Sequence, residues 1–98
     1  MGYNFSNETP IYLQIIEKIK MQIISREYLP NDRLPSVREL SIMFEVNPNT
    51  IQKALNELEE MGLIYTERTN GKFVTENALV IDHIKNKTIK EKISSIIA

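Results

Sequence analysis

The 98-residue chain has no cysteine, which excludes disulfides and thiolate metal sites. Its one histidine, His83, leaves no histidine pair for zinc. Apolar runs extend only a few residues, far short of the ~20 that a membrane-spanning helix needs. No basic-then-apolar leader precedes them, so the expectation is a cytoplasmic protein with no membrane partner. Neither sign of charge dominates: 12 Lys and Arg stand against 13 Asp and Glu, for a net charge of -1. Bulk electrostatics therefore points to no nucleic-acid partner, and only the placement of charge could do so. The glycines, three in all, form no phosphate-binding loop. The carboxylates are scattered over predicted helix surfaces, and Ser36 is explained as a helix cap. No catalytic constellation survives, so neither an enzyme nor a cofactor is expected. A chain of this length holds one domain with a modest core and a short appendage, and leaves no room for a sizeable effector pocket.

What is present is organised around one stretch, Asn47 to Gly62. Asn47 can cap a helix, Pro48 suits the first helical position, and Gly62 suits its end. Ile51, Ala54, Leu55, Leu58 and Met61 recur at helical spacing and define an apolar face. The other face opens with Asn49, Thr50, Gln52, Lys53 and Asn56 and turns acidic only later, at Glu57, Glu59 and Glu60. A first half without carboxylates is the polarity expected of a helix whose amino end meets base edges and phosphates.

Earlier in the chain, Met1 to Thr9 reads as a loose polar arm. Pro10 opens a helix with Tyr12, Ile16, Ile19 and Ile23 on one face and Ile15 beside them, and with Gln14, Glu17, Lys18, Lys20 and Gln22 solvated. Asn31-Asp32 supplies a turn, and Arg33-Leu34 is too short for an independent strand, though able to edge a small sheet. Ser36 and Glu39 stand in the capping-box relation at the head of a second helix. Val37, Leu40, Met43 and Phe44 are expected to face inward. Glu45-Val46 is then the brief joint of a helix-turn-helix. Beyond Gly62, Leu63 to Thr66 and Phe73 to Thr75 read as strands. Asn70-Gly71 predicts a two-residue type I′ turn with positive φ at both residues, flanked by Arg68 and Lys72. A hairpin directly after a helix-turn-helix is a wing.

The segment Asn77 to Ala98 predicts a helix capped by Asn77, or two helices meeting near Asn86-Lys87-Thr88, where the isoleucine stripe slips. Its residues Ile81, Ile84, Ile89, Ile93, Ile96 and Ile97 would be exposed in a lone monomer. Burial against a second copy accounts for them, and folding back onto the wing domain is the alternative. The domain reading is therefore 1–76, a winged helix with an amino-terminal arm, and 77–98, a helical dimerisation segment. The fold class is mainly α with a small β-hairpin.

From Pro10 to Val74 the chain resembles the amino-terminal domain of the GntR family of transcription regulators. The resemblance rests on Pro10-Ile11-Tyr12-Leu13-Gln14-Ile15, Asp32 to Leu40, Gly62-Leu63-Ile64-Tyr65 and Gly71-Lys72-Phe73-Val74. Asn47-Pro48-Asn49-Thr50-Ile51 is similar to the YtrA-type branch. The resemblance implies that Arg38 contacts a guanine or nearby phosphates, that Asn47, Asn49 and Thr50 touch backbone and bases, and that Gly71 approaches the minor groove. The chain departs from the common pattern at Pro48 and Gln52, where many members carry arginine, and at Thr69-Asn70-Gly71, where Gly-Arg-Gly is usual.

On the residues themselves, Arg38 can grip a guanine bidentately, and Asn49, Gln52 or Lys53 can read neighbouring edges. Ser36, Thr50 and Lys72 can fix register on phosphates. The competing role for Arg38 is a pair with Glu39 or Glu45. The expected function is a sequence-specific regulator, a repressor on an inverted repeat, with double-stranded DNA and a second copy of the chain as partners. The sequence names no small-molecule effector. The alternative is a winged-helix protein-interaction module that never binds DNA.

Overall fold

A computed structural model of the chain describes residues 9–97, with side chains as far as Glu91. Of the expected arm from Met1 to Thr9, all but Thr9 lies outside the described residues. The order of elements is α1 (Ile11–Ile24), α2 (Val37–Phe44), α3 (Pro48–Glu60), β1 (Ile64–Glu67), β2 (Gly71–Val74) and α4 (Ala78–Ile97).

Helix α3 forms where its signals put it. The Asn47 side chain accepts the Asn49 N–H at 2.8 Å. At the other end the Gly62 N–H donates to the Glu59 carbonyl and the Leu63 N–H to that of Leu58, with Gly62 at φ +82. This paired closure satisfies carbonyls that the last turn leaves free. The face of Ile51, Ala54, Leu55 and Leu58 is buried, and α1 and α2 both pack against α3. Ile15, Ile19, Leu40 and Phe44 complete the centre of the core with Leu63, Ile64 and Val74 from the wing. Burying each Leu or Ile is worth about 1.5–3 kcal/mol.

The wing is an antiparallel hairpin in which Ile64 faces Val74 and Tyr65 faces Phe73. The latter rings stack, with centroids 5.8 Å apart. The segment before α2 does add an edge. Val74 N–H donates to Asp32 and Asn31 N–H to Val74, both at 2.9 Å, and Leu34 N–H donates to Lys72 at 2.8 Å. The hairpin turn differs from the predicted two-residue form. Glu67 pairs with Gly71, so Arg68, Thr69 and Asn70 form the loop. Asn70 N–H bonds back to the Glu67 carbonyl at 3.2 Å. Of the two residues expected at positive φ, Gly71 alone adopts it, at +104, as in loops built on a type I turn followed by a bulge.

Four side chains depart from the expected faces. Met43 is 41 % exposed, because Leu40 and Phe44, one turn apart, already fill the single face that short α2 turns toward α3. Lys20 is buried, with its ammonium 2.7 Å from Glu17 one turn earlier on α1. Ile81 and Ile84, assigned to a partner copy, are half-buried against the chain's own core together with Val80. Helix α4 runs unbroken through the slip at Asn86 to Thr88. Its start is capped by Asn77, whose side chain accepts the Leu79 N–H at 3.0 Å.

Candidate nucleic-acid interface

Two clefts gather most of the candidate residues. The first, about 380 Å³ and open, lies between the starts of α1 and α3 and is lined by Ile11, Tyr12, Asn49, Thr50 and Lys53. No acidic residue occupies the first turn of α3, so the positive end of the helix dipole is uncompensated there. Asn47 and Asn49 are exposed and Thr50 is half-buried. The Asn47 carbonyl oxygen is committed to the cap, which leaves its amide nitrogen to donate. Gln52 donates to Asn56 Oδ1 at 2.9 Å, a bond that orients its amide along the solvent face. The Lys53 ammonium lies 3.9 Å from the centre of the Tyr12 ring, a cation–π contact that steers it toward α1. Sequence reasoning placed Tyr12 only in the core face, and a contact between α1 and α3 has no local signal.

The second cleft, about 250 Å³, lies between the start of α2 and the wing; Arg33, Ser36, Arg68, Gly71 and Lys72 are among its lining residues. Ser36 Oγ accepts the Glu39 N–H at 3.0 Å, and Glu39 Oε1 accepts the Ser36 N–H at 2.9 Å. This reciprocal pair holds the Glu39 carboxyl below its ordinary pKa, chiefly through the Ser36 amide, then its hydroxyl, with the positive charge of Arg33 assisting. In the first turn of α2, Arg38 is exposed and makes no ion pair with Glu39 or Glu45. Arg68 and Asn70 are exposed at the hairpin tip.

Lys72 lies beside the tip as expected, but its ammonium is engaged within the fold. Its ammonium is 3.1 Å from Glu59 Oε1 and 2.8 Å from Thr66 Oγ1, a link between the wing and the back of α3. The same contacts, Thr66 first and Lys72 second, depress the Glu59 pKa. Its charge is thus spent within the fold. Arg33, not among the sequence candidates, lies over Gly71 instead: a methyl group on Gly71 would meet Arg33 Nε at 3.2 Å. The bridge that puts it there joins Arg33 to Phe73, far apart in sequence.

The profile of bacterial regulatory proteins of the gntR family matches residues 11–74. The chain belongs to the GntR family. It is 42% identical over 92 residues to the transcriptional repressor YtrA of Bacillus subtilis, covering 93% of this chain and 71% of that protein. A GntR family transcriptional regulator from Listeria monocytogenes superposes with a TM-score of 0.91 at 43% identity, covering 95% of this chain and 82% of that one. The AraR DNA-binding domain, solved in complex with an operator, superposes with a TM-score of 0.67 at 35% identity, covering 76% of this chain and 88% of that one. With its helix-turn-helix and wing, this GntR chain is a DNA-binding transcription regulator of the winged-helix class. Among the described residues no helix is long and apolar enough to cross a membrane.

Proposed function

We propose that this GntR protein is a repressor that binds an inverted-repeat operator as a homodimer. The observation that carries the reading is the carboxylate-free start of α3, with Asn47, Asn49 and Thr50 around its capped end. AraR, which shares this winged helix, was solved on operator DNA, and the YtrA relative is a repressor. In the proposed complex Arg38 grips a guanine while Asn49, Gln52 and Lys53 read neighbouring edges. Ser36, Thr50, Arg68 and the Asn70-Gly71 tip hold the register on the backbone, with Asn47 beside them.

Residues 1–76 act as the DNA-binding unit and 77–98 as the dimerisation segment. Ile89 is 45 % exposed on α4, and Ile93, Ile96 and Ile97, whose side chains lie outside the described residues, follow it at helical spacing. Pairing these positions between copies joins two half-sites on one duplex, which a chain of net charge -1 needs for firm binding.

Selecting bound fragments from random DNA and titrating the recovered duplex against salt tests the proposal. A palindromic consensus and a linear fall of log affinity with log salt are expected. An assembled dimer that binds no duplex would overturn it and favour the protein-interaction module.

A further inference from the structure

We infer that Arg33 is a DNA-contacting residue of the wing, although it lies outside the hairpin in sequence. The inference rests on the regulator reading above. Three observations carry it. First, the antiparallel bridge to Phe73 and the Leu34–Lys72 hydrogen bond of 2.8 Å fasten the Arg33 backbone to β2. Second, its side chain runs along the wing to the tip. A methyl group on Gly71 would lie 3.2 Å from Nε, 3.6 Å from Nη2 and 3.8 Å from Cζ, so the guanidinium occupies the space that the glycine leaves open. Third, Arg33 is exposed, and no carboxylate among the described residues lies within ion-pairing distance of it. The Glu39 carboxylate senses its charge but is already bound to the Ser36 amide.

Lys72, the cation that the hairpin itself places beside the tip, is tied to Glu59. The wing therefore presents two uncommitted cations to its cleft, Arg68 from the loop and Arg33 from the edge strand. A guanidinium seated beside Gly71, in the space where a side chain would stand, can offer its N–H groups to a phosphate. Gly71 thus serves as the seat of Arg33 as well as the residue that tolerates positive φ.

The experiment compares the full chain with Arg33→Gln, which keeps length and polarity but removes the charge, on the selected operator and on random duplex. Affinity for both is expected to fall about 3- to 30-fold, and the salt slope per protomer to shrink by about 0.9, as for one lost phosphate contact. Thermal denaturation run beside it reads wing stability. Unchanged affinity and slope would overturn the proposal, as would weaker binding with an unchanged slope and a lowered melting temperature, which marks a structural role only. A loss confined to the operator would overturn the phosphate assignment. Failure of the unsubstituted chain to bind any duplex would instead overturn the regulator reading itself.

Discussion

Arg38 and Lys72 carry the same charge within one small domain, and their surroundings put them to opposite uses. Arg38 is exposed in the first turn of α2 and makes no ion pair among the described residues, whereas Lys72 is 18% exposed and bound to Glu59 and Thr66. Arg38→Ala is expected to cost about 1–3 kcal/mol on the operator and little on random duplex, because it removes a contact to a base edge. Fluorescence anisotropy on both duplexes checks this, and equal losses would remove Arg38 from the reading set. Lys72→Ala should leave the salt slope unchanged and lower stability by about 0–1 kcal/mol, the usual worth of a solvent-accessible pair. Arg38 could be picked out from its neighbours in sequence. The fate of Lys72 could not, since Glu59 lies on another element and competes for the charge only after the wing has docked on α3. Glu45 is a similar case. It adopts left-handed φ of +56 at the end of α2, where side chains are strained, and nothing in its composition announces this.

At the scale of elements, α2 is the one most dependent on its ends. A helix of eight residues is marginal in isolation, so its capping box matters more than it would in a long helix. Ser36→Ala should destabilise the domain by about 1 kcal/mol, measured by urea denaturation. The pH dependence follows from the depressed carboxyls of Glu39 and Glu59. A folded-state pKa below the unfolded value gives stability that is full above the ordinary carboxylate pKa and is lost as pH falls through the lowered one. Glu39→Gln should therefore cost more near neutral pH than in acid below the lowered pKa, where the native carboxyl is protonated as well. Equal costs at both would show that charge plays no part in the cap. These caps were legible because they join residues within one turn: Ser36 with Glu39, Asn47 with Asn49, Asn77 with Leu79. The hairpin was legible in position, but its turn type depended on register, which pairs Glu67 with Gly71 and leaves Asn70 in the loop.

At the scale of the whole molecule, α4 decides how the chain presents itself to a second copy. Its first turns pack on the domain, taking Val80, Ile81 and Ile84 into the core's margin. Ile89 stays exposed, so the proposed dimer seam is confined to the later part of the helix. Ile89→Glu should raise the dimer dissociation constant and weaken operator binding while leaving the wing domain folded, as sedimentation at several concentrations and circular dichroism would read. A monomer at micromolar concentration in the unsubstituted chain would sink the dimer. The sequence by itself determined the elements and their order, because caps, glycine stops and apolar spacing act over a few residues. It also determined the start of α3 as a surface free of carboxylates. Only the tertiary structure decided which charges remain free to meet a ligand. Lys72 is spent on Glu59, Lys53 leans on Tyr12, and Arg33 is carried to the wing tip, each through a contact between elements distant in the chain, whose energy exists only once the core has brought them together.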